Sequence, residues 1–208
     1  MKKETSGEIL KSRDTLRKSI LFIVITALFA AISYILSTFP KFNVFTAAPW
    51  MDVDFSDAPA LMAAYLFHPL MGVCIVVIKS LLHMISVSTT GYIGFLANII
   101  TGGTLVLSAS LIFMLFKRSG KTGVLPMVIS SAIGIAVQIV AALFANFFLL
   151  LPLYVGRIDI NEQFGSSLAY AAIVIFHNLL KDVLNAATAV ILASQCKRFI
   201  PKSISKYF

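Results

Sequence analysis

Residues 50–67, WMDVDFSDAPALMAAYLF, carry three carboxylates within six positions, Asp52, Asp54 and Asp57, directly ahead of an apolar run. A second polar group, HNLLKD at 177–182, sets His177, Asn178, Lys181 and Asp182 inside an apolar segment. Lys79, His83, Asn98, Gln138 and Asn146 are further polar residues in apolar surroundings. Carboxylates and imidazoles together could ligate a metal and activate water, so a membrane-embedded hydrolase using His83, His177 and Asp182 is one reading. The spacing argues against it. There is no HExxH pair and no GxSxG nucleophile signature. The two cysteines, Cys74 and Cys196, have neither metal-type spacing nor the look of a disulfide framework. What remains is hydrogen-bonding chemistry: amides, an ammonium and carboxylates that can hold a small molecule without transforming it. No enzyme activity, metal or catalytic cofactor is expected.

The elements that must position these groups are membrane helices. The chain has 208 residues, 59% apolar and 12% charged, against about 45–50% and about 25% in soluble domains. Its mean hydropathy is +0.92, and several apolar runs reach the roughly 20 residues that cross a bilayer. The net charge of +8 is concentrated at Lys2, Lys3, Lys11, Arg13, Arg17 and Lys18, at Lys117, Arg118 and Lys121, and at Lys197, Arg198, Lys202 and Lys206. That distribution follows the positive-inside rule and contact with anionic lipid, not a nucleic-acid footprint. The expected fold is an all-α, six-transmembrane-helix bundle in the cell membrane with both termini cytoplasmic. Spans are expected at 19–39, 58–67, 70–87, 93–116, 124–151 and 168–196, with a tight turn at His68-Pro69. Outer loops are expected at 40–56, 86–92 and 153–167. Residues 1–18 form a cytoplasmic segment, 19–198 the membrane domain and 199–208 a cytoplasmic tail. No cleaved signal peptide is read.

Ionisable residues inside a span are costly and usually face a cavity or a partner. At about 1.5 Å per residue, Asp54, Asp57, His83, Asn98, Asn146 and the 177–182 group all fall in the outer half of the bundle or near its middle. An outward-opening polar pocket accounts for that bias. Simpler structural roles stay open for each residue. Ser56 or Asp57 could cap the helix that follows, with Pro59 in its first turn. Lys79 could snorkel its ammonium to the cytoplasmic interface. Asn98 and Asn146 could be interhelical hydrogen bonders, and His177 a satisfied buried imidazole. Lys181 is harder to explain away, because Asp182 points about 100° from it on the helix and is a poor partner. In the first span, Ala27 and Ala31 give a small-xxx-small stripe that allows close helix approach.

DFSDAPAL, HPLMGVCIVVIKSLLH, GFLANIITGG, NFFLLLPLY and FHNLLKDVL, in this order and spacing, resemble the S components of the energy-coupling factor vitamin transporters, above all the riboflavin-binding members. The resemblance implies a six-helix bundle that captures a vitamin from outside, with riboflavin as the transported ligand. It then docks on a transmembrane coupling subunit bearing two ATPase subunits. It implies that Asn146, Asn178 and Lys181 hydrogen-bond the ligand, that Met51, Val53, Gly94 and Asn98 border it, and that Ala27 and Ala31 contact the coupling subunit. Asp52 and His83 belong to the same outer pocket, with Asp54 and Asp57 at its rim or capping its helix. Asp52, His83, His177 and Asp182 depart from the riboflavin pattern, so another vitamin or related small molecule is the nearest alternative ligand. A self-sufficient secondary carrier is disfavoured, since no inverted repeat is visible.

Overall fold

A computed structural model describes residues 6–46, 48, 50–86, 91–154 and 160–200. The expected turn at 86–92, the loop 153–167 and the tail 199–208 lie partly outside these residues.

Helix α1 spans Ser6–Thr38, thirteen residues longer at its start than the apolar run alone. The sequence from Ser6 holds no proline or second glycine to stop it before Pro40. A feature absent from the sequence reading follows: two short antiparallel strands, β1 (Lys41–Asn43) and β2 (Asp52–Asp54), pair Phe42 with Val53. Helix α2 (Asp57–Leu66) leads through Phe67 and His68 to α3 (Pro69–Ser86). Pro69 sits where a missing N–H costs nothing, at the start of a helix. Helices α4 (Gly91–Arg118) and α5 (Val124–Ala145) follow. Gly120, at φ 74°, closes α4 while Lys121 N–H bonds to Phe116 O at 2.9 Å, a left-handed cap for which glycine is suited.

The expected fifth span does not run as a plain α-helix to 151. Residues Asn146–Leu150 form a π turn before α6 (Leu151–Tyr154), with Leu151 N–H reaching Asn146 O. Pro152 has no N–H for the helical ladder, and a wider turn just ahead of it accommodates that loss. A short α7 (Ile160–Phe164) precedes α8 (Ser167–Cys196). Ser166 caps α8, its hydroxyl accepting from Ala169 N–H at 3.1 Å.

Five helices among the described residues are long and apolar enough to cross a membrane: Lys11–Thr38, Pro69–Ser86, Gly91–Arg118, Val124–Leu153 and Ser167–Phe199. The second expected span is the exception. Helix α2 has ten residues, about 15 Å of rise, roughly half a bilayer core. It is nearly all buried and packs against α1, α3, α4 and α8. The chain is thus a multi-pass helical bundle with a half-length helix inside it.

Small residues set the packing. A Cβ on Gly72 would fall 2.6 Å from Val106 Cγ1 and 2.7 Å from both Ala60 O and Ala64 Cβ. One on Gly134 would meet Ala109 Cβ at 2.7 Å. The backbones of α2, α3, α4 and α5 therefore approach closely, as small residues permit in lipid. Gly72→Ala is expected to lower the thermal midpoint of detergent-purified protein, overpacking costing about 1–3 kcal/mol. Gly103→Ala, with nothing within 4 Å of the new Cβ, is the control and should leave the midpoint unchanged or raise it.

Candidate functional site

Two polar sectors lie side by side along the buried face of α8. The inward residues of this helix run Tyr170, Val174, Asn178, Lys181, Asn185, Ala189 and Ala193, steps of three and four that keep one face. The stripe is polar in its first half and apolar in its second.

The deeper sector is ionic. Strand β2 delivers Asp54, and Asp57 opens α2. Lys79 of α3 donates to Asp57 Oδ1 at 2.5 Å and also to Ser56 Oγ. Lys181 donates to Asp54 Oδ2 at 3.1 Å and lies 3.8 Å from Asp57 Oδ2. Ser56 N–H and Oγ–H both donate to Asp54 Oδ1, at 2.9 and 2.6 Å. Asn185 joins the pieces. Its Oδ1 accepts from Ala58 N–H at 2.7 Å, and its Nδ2 donates to the backbone oxygens of Asp54 and Lys181 at 2.7 and 2.8 Å. Gly102 of α4 makes room, since a Cβ there would fall 2.7 Å from Asp57 Oδ1.

Two sequence expectations change. Lys79 does not snorkel; it is 2% exposed because two opposed charges solvate one another more cheaply than a carboxylate alone in the bundle. Neither Ser56 nor Asp57 caps α2 with its side chain. Ser56 Oγ is engaged with Asp54, and the Ala58 N–H in the first turn of α2 donates to Asn185 Oδ1 as well as to Phe55 O. Lys181, for which Asp182 was already a poor partner, pairs instead with the acids of the 50–57 segment. Asn185 was missed by the sequence reading, although its position four residues after Lys181 puts it on the same face.

The second sector is neutral and aromatic. Tyr170 Oη–H donates to Asn146 Oδ1 at 2.8 Å, and Asn146 Nδ2 donates to Ala142 O at 2.8 Å. Gln138 Nε2 donates to Asn178 Oδ1 at 2.7 Å, and Asn178 Nδ2 donates to Val174 O at 2.8 Å. Each asparagine amide keeps one N–H and one lone pair uncommitted by these bonds. Phe164 packs on Tyr170 at 4.8 Å between ring centroids, Phe147 on Tyr170 at 5.7 Å, and Trp50 on Phe164 at 6.3 Å. Met51 joins this cluster. Gln138 Oε1, His177 Nδ1 and Asp182 Oδ2 are buried with no hydrogen-bond partner, so His177 is not a satisfied core imidazole.

Asn146 and Asn178 thus lie in the α5–α8 sector with Met51 packed in its aromatic cluster, whereas Lys181 belongs to the ionic sector. Val53 is fully buried on the ribbon. Others are placed apart by their contacts. Asp52 pairs with Lys41 at 2.8 Å on the ribbon's exposed side. His83 Nδ1 shares a 3.0 Å hydrogen bond with Ser37 Oγ. Gly94 and Asn98 are half-buried on α4, and among the described residues no hydrogen bond joins Asn98 to the α5–α8 set. Ala27 and Ala31 both lie on the exposed face of α1, with Ile23, Val24 and Leu28.

Burial alone would raise the Asp54 carboxyl, but Lys181, Lys79 and the Ser56 hydrogen bonds outweigh it and hold it well below its ordinary value of 3.8. A carboxyl depressed by folding stabilises the folded state above its unfolded value, and that contribution is lost as pH falls toward the folded value. The thermal midpoint should accordingly drop on acidification below about pH 4, and Asp54→Asn should flatten that part of the curve. Asp57→Ala leaves Lys79 buried and unpaired, and should cost about 3–5 kcal/mol, seen as loss of monodisperse protein in size-exclusion chromatography. Asp57→Leu combined with Lys79→Met should recover most of it.

A family model described as the ECF transporter, substrate-specific component, matches residues 21–193. The riboflavin transporter RibU of Staphylococcus aureus (strain TCH60) is 29% identical over 182 residues, 86% of this chain and 92% of that one. The riboflavin transporter FmnP of Bacillus subtilis (strain 168) is 25% identical over 192 residues, 89% of this chain and 96% of that one. A solved structure described as "Structure and mechanism of the S component of a bacterial ECF transporter" superposes with a TM-score of 0.72 at 25% identity, over 87% of this chain and 98% of that chain. From α1 to α8, this chain belongs to the substrate-specific components of the ECF transporters.

Proposed function

We propose that this S component binds riboflavin in the sector between α5 and α8 and delivers it for ATP-driven uptake. The observation that carries the reading is the pairing of uncommitted amide valences on Asn146 and Asn178 with a wall of Tyr170, Phe147 and Phe164. A flavin has a flat conjugated body and a pyrimidine edge of alternating N–H and C=O groups. Aromatic side chains suit the body and carboxamides suit the edge. Lys181 stands one turn below Asn178 with its charge already balanced by Asp54 and Asp57. It can therefore donate to a hydroxyl of the sugar-alcohol chain without demanding an anionic ligand. The two relatives named above as riboflavin transporters support the same ligand.

In this reading the ribbon end of the bundle faces outward. The end bearing Lys117, Arg118, Lys197 and Arg198 faces the cytoplasm with both termini, as the positive-inside rule directs. The cell membrane is the site of action. The exposed Ala27–Ala31 face of α1 docks on a transmembrane coupling subunit carrying two ATPase subunits.

The test is optical. Purified protein should quench riboflavin fluorescence at one ligand per chain, and protein from rich medium should carry flavin absorbance. Asn146→Ala and Asn178→Ala should each weaken binding by roughly tenfold or more, one hydrogen bond contributing about 0.5–1.5 kcal/mol and a buried unmet ligand group costing further. Absence of quenching, alongside a thermal shift with a different vitamin, would reassign the substrate. Ala27→Leu with Ala31→Leu should leave that binding intact while abolishing uptake in cells that supply the coupling subunits.

A further inference from the structure

A cavity of about 270 Å³ lies far from the α5–α8 sector, between the α2–α3 turn and the last turns of α4. Most of its lining is apolar, Ala64, Phe67, Pro69, Phe113 and Met114, with Ser110 among them, and the exposed residues His68, Lys117 and Arg118 stand at its mouth. Among the described residues no carboxylate pairs with these cations. Among the described residues neither Lys117 nor Arg118 takes part in an ion pair or hydrogen bond, and Lys197 adds like charge beside Lys117. No aspartate or glutamate occurs in the sequence between Asp57 and Asp159, so α3, α4 and the α4–α5 turn offer no acid. The His68 ring is oriented as well: Leu70 N–H donates to its Nδ1 at 3.1 Å, which puts the proton of the neutral ring on Nε2 as a free donor.

Basic residues at a helix end complement its dipole and fix orientation, but neither role calls for a concave space with a mostly apolar lining. We propose that this cavity binds the phosphate of an anionic phospholipid. Arg118 offers a fork matched to phosphate oxygens and Lys117 a point charge, with His68 Nε2–H as a third donor. The position selects a lipid over a soluble phosphate ester. The α4 span ends on these two cations, at the depth where headgroups lie, and basic pockets between helices suit such headgroups. Leu107, Leu111 and Leu115, spaced by four along α4, and Leu70 at the start of α3 are exposed. They provide an apolar track for the acyl chains beside the mouth.

Native mass spectrometry of the full chain, released from nanodiscs of phosphatidylcholine containing phosphatidylglycerol, tests this. The wild type should retain one phosphatidylglycerol in preference to phosphatidylcholine, and its thermal midpoint should rise with the anionic lipid. Lys117→Gln with Arg118→Gln should reduce that retention about tenfold. Lys11→Gln with Lys18→Gln, which removes the same charge away from the cavity, should keep it. Equal retention of the two lipids, or equal loss in both double variants, would overturn the site in favour of diffuse surface charge. A midpoint rise of the same size from inorganic phosphate in lipid-free detergent would overturn the lipid as its occupant.

Discussion

Two ammonium groups and two carboxylates meet inside this bundle, Lys79 with Asp57 and Lys181 with Asp54. Any one of these charges alone would be costly away from water, and that cost is offset only when all are supplied together. The consequence is architectural. Asp54 arrives on a strand, Asp57 on the first residue of α2, Lys79 on α3 and Lys181 on α8, so four elements are committed to one point. Asn185 completes it by accepting from the Ala58 N–H in the first turn of α2 and donating to the carbonyl of Asp54. A helix start buried in a membrane protein needs such a partner, because no solvent is there to supply one.

The half-length of α2 follows from that anchoring. Its first turn must sit at the level of the ionic cluster, well inside the bundle, so ten residues suffice to reach the turn at His68. Close packing then becomes obligatory. Gly72 lets α3 lie against α2 and α4, Gly102 leaves space for the Asp57 carboxylate, and Gly134 brings α5 onto Ala109 of α4. The apolar lower half of α8, through Ala186, Ala189 and Ala193, packs on the same principle.

Above the cluster the same helix changes character. Asn178 and Tyr170 face Gln138 and Asn146 of α5, and the π turn at 146–150 sets Asn146 at the point where the helical register widens. Widened turns of this kind occur often at functional sites. The aromatic side chains of α7 and of the 45–51 loop close over Tyr170, so the polar valences are presented in a largely apolar setting. There a hydrogen bond discriminates more sharply than in water. Fixed charges and neutral amides thus occupy consecutive turns of one helix.

The sequence alone determined that the chain is a helical membrane protein. It placed the breaks at Pro40, His68-Pro69 and the 117–123 loop, and it singled out Asp54, Asp57, Asn146, Asn178 and Lys181, because bilayer insertion penalises such residues wherever they fall. Hydropathy and proline positions are local, so they are readable locally. What it left undecided were pairings between residues far apart in the chain. Lys79 and Asp57 are 22 positions apart, and Asn185 and Ala58 are 127 apart; no local pattern couples them. Snorkelling and side-chain capping were reasonable for Lys79 and Asp57 taken singly. Only the folded bundle, by bringing α3 and α8 to the mouth of α2, made each charge the other's solvent. The pairing of Lys41–Asn43 with Asp52–Asp54, each strand too short for a period-two pattern, was likewise decided only by the fold.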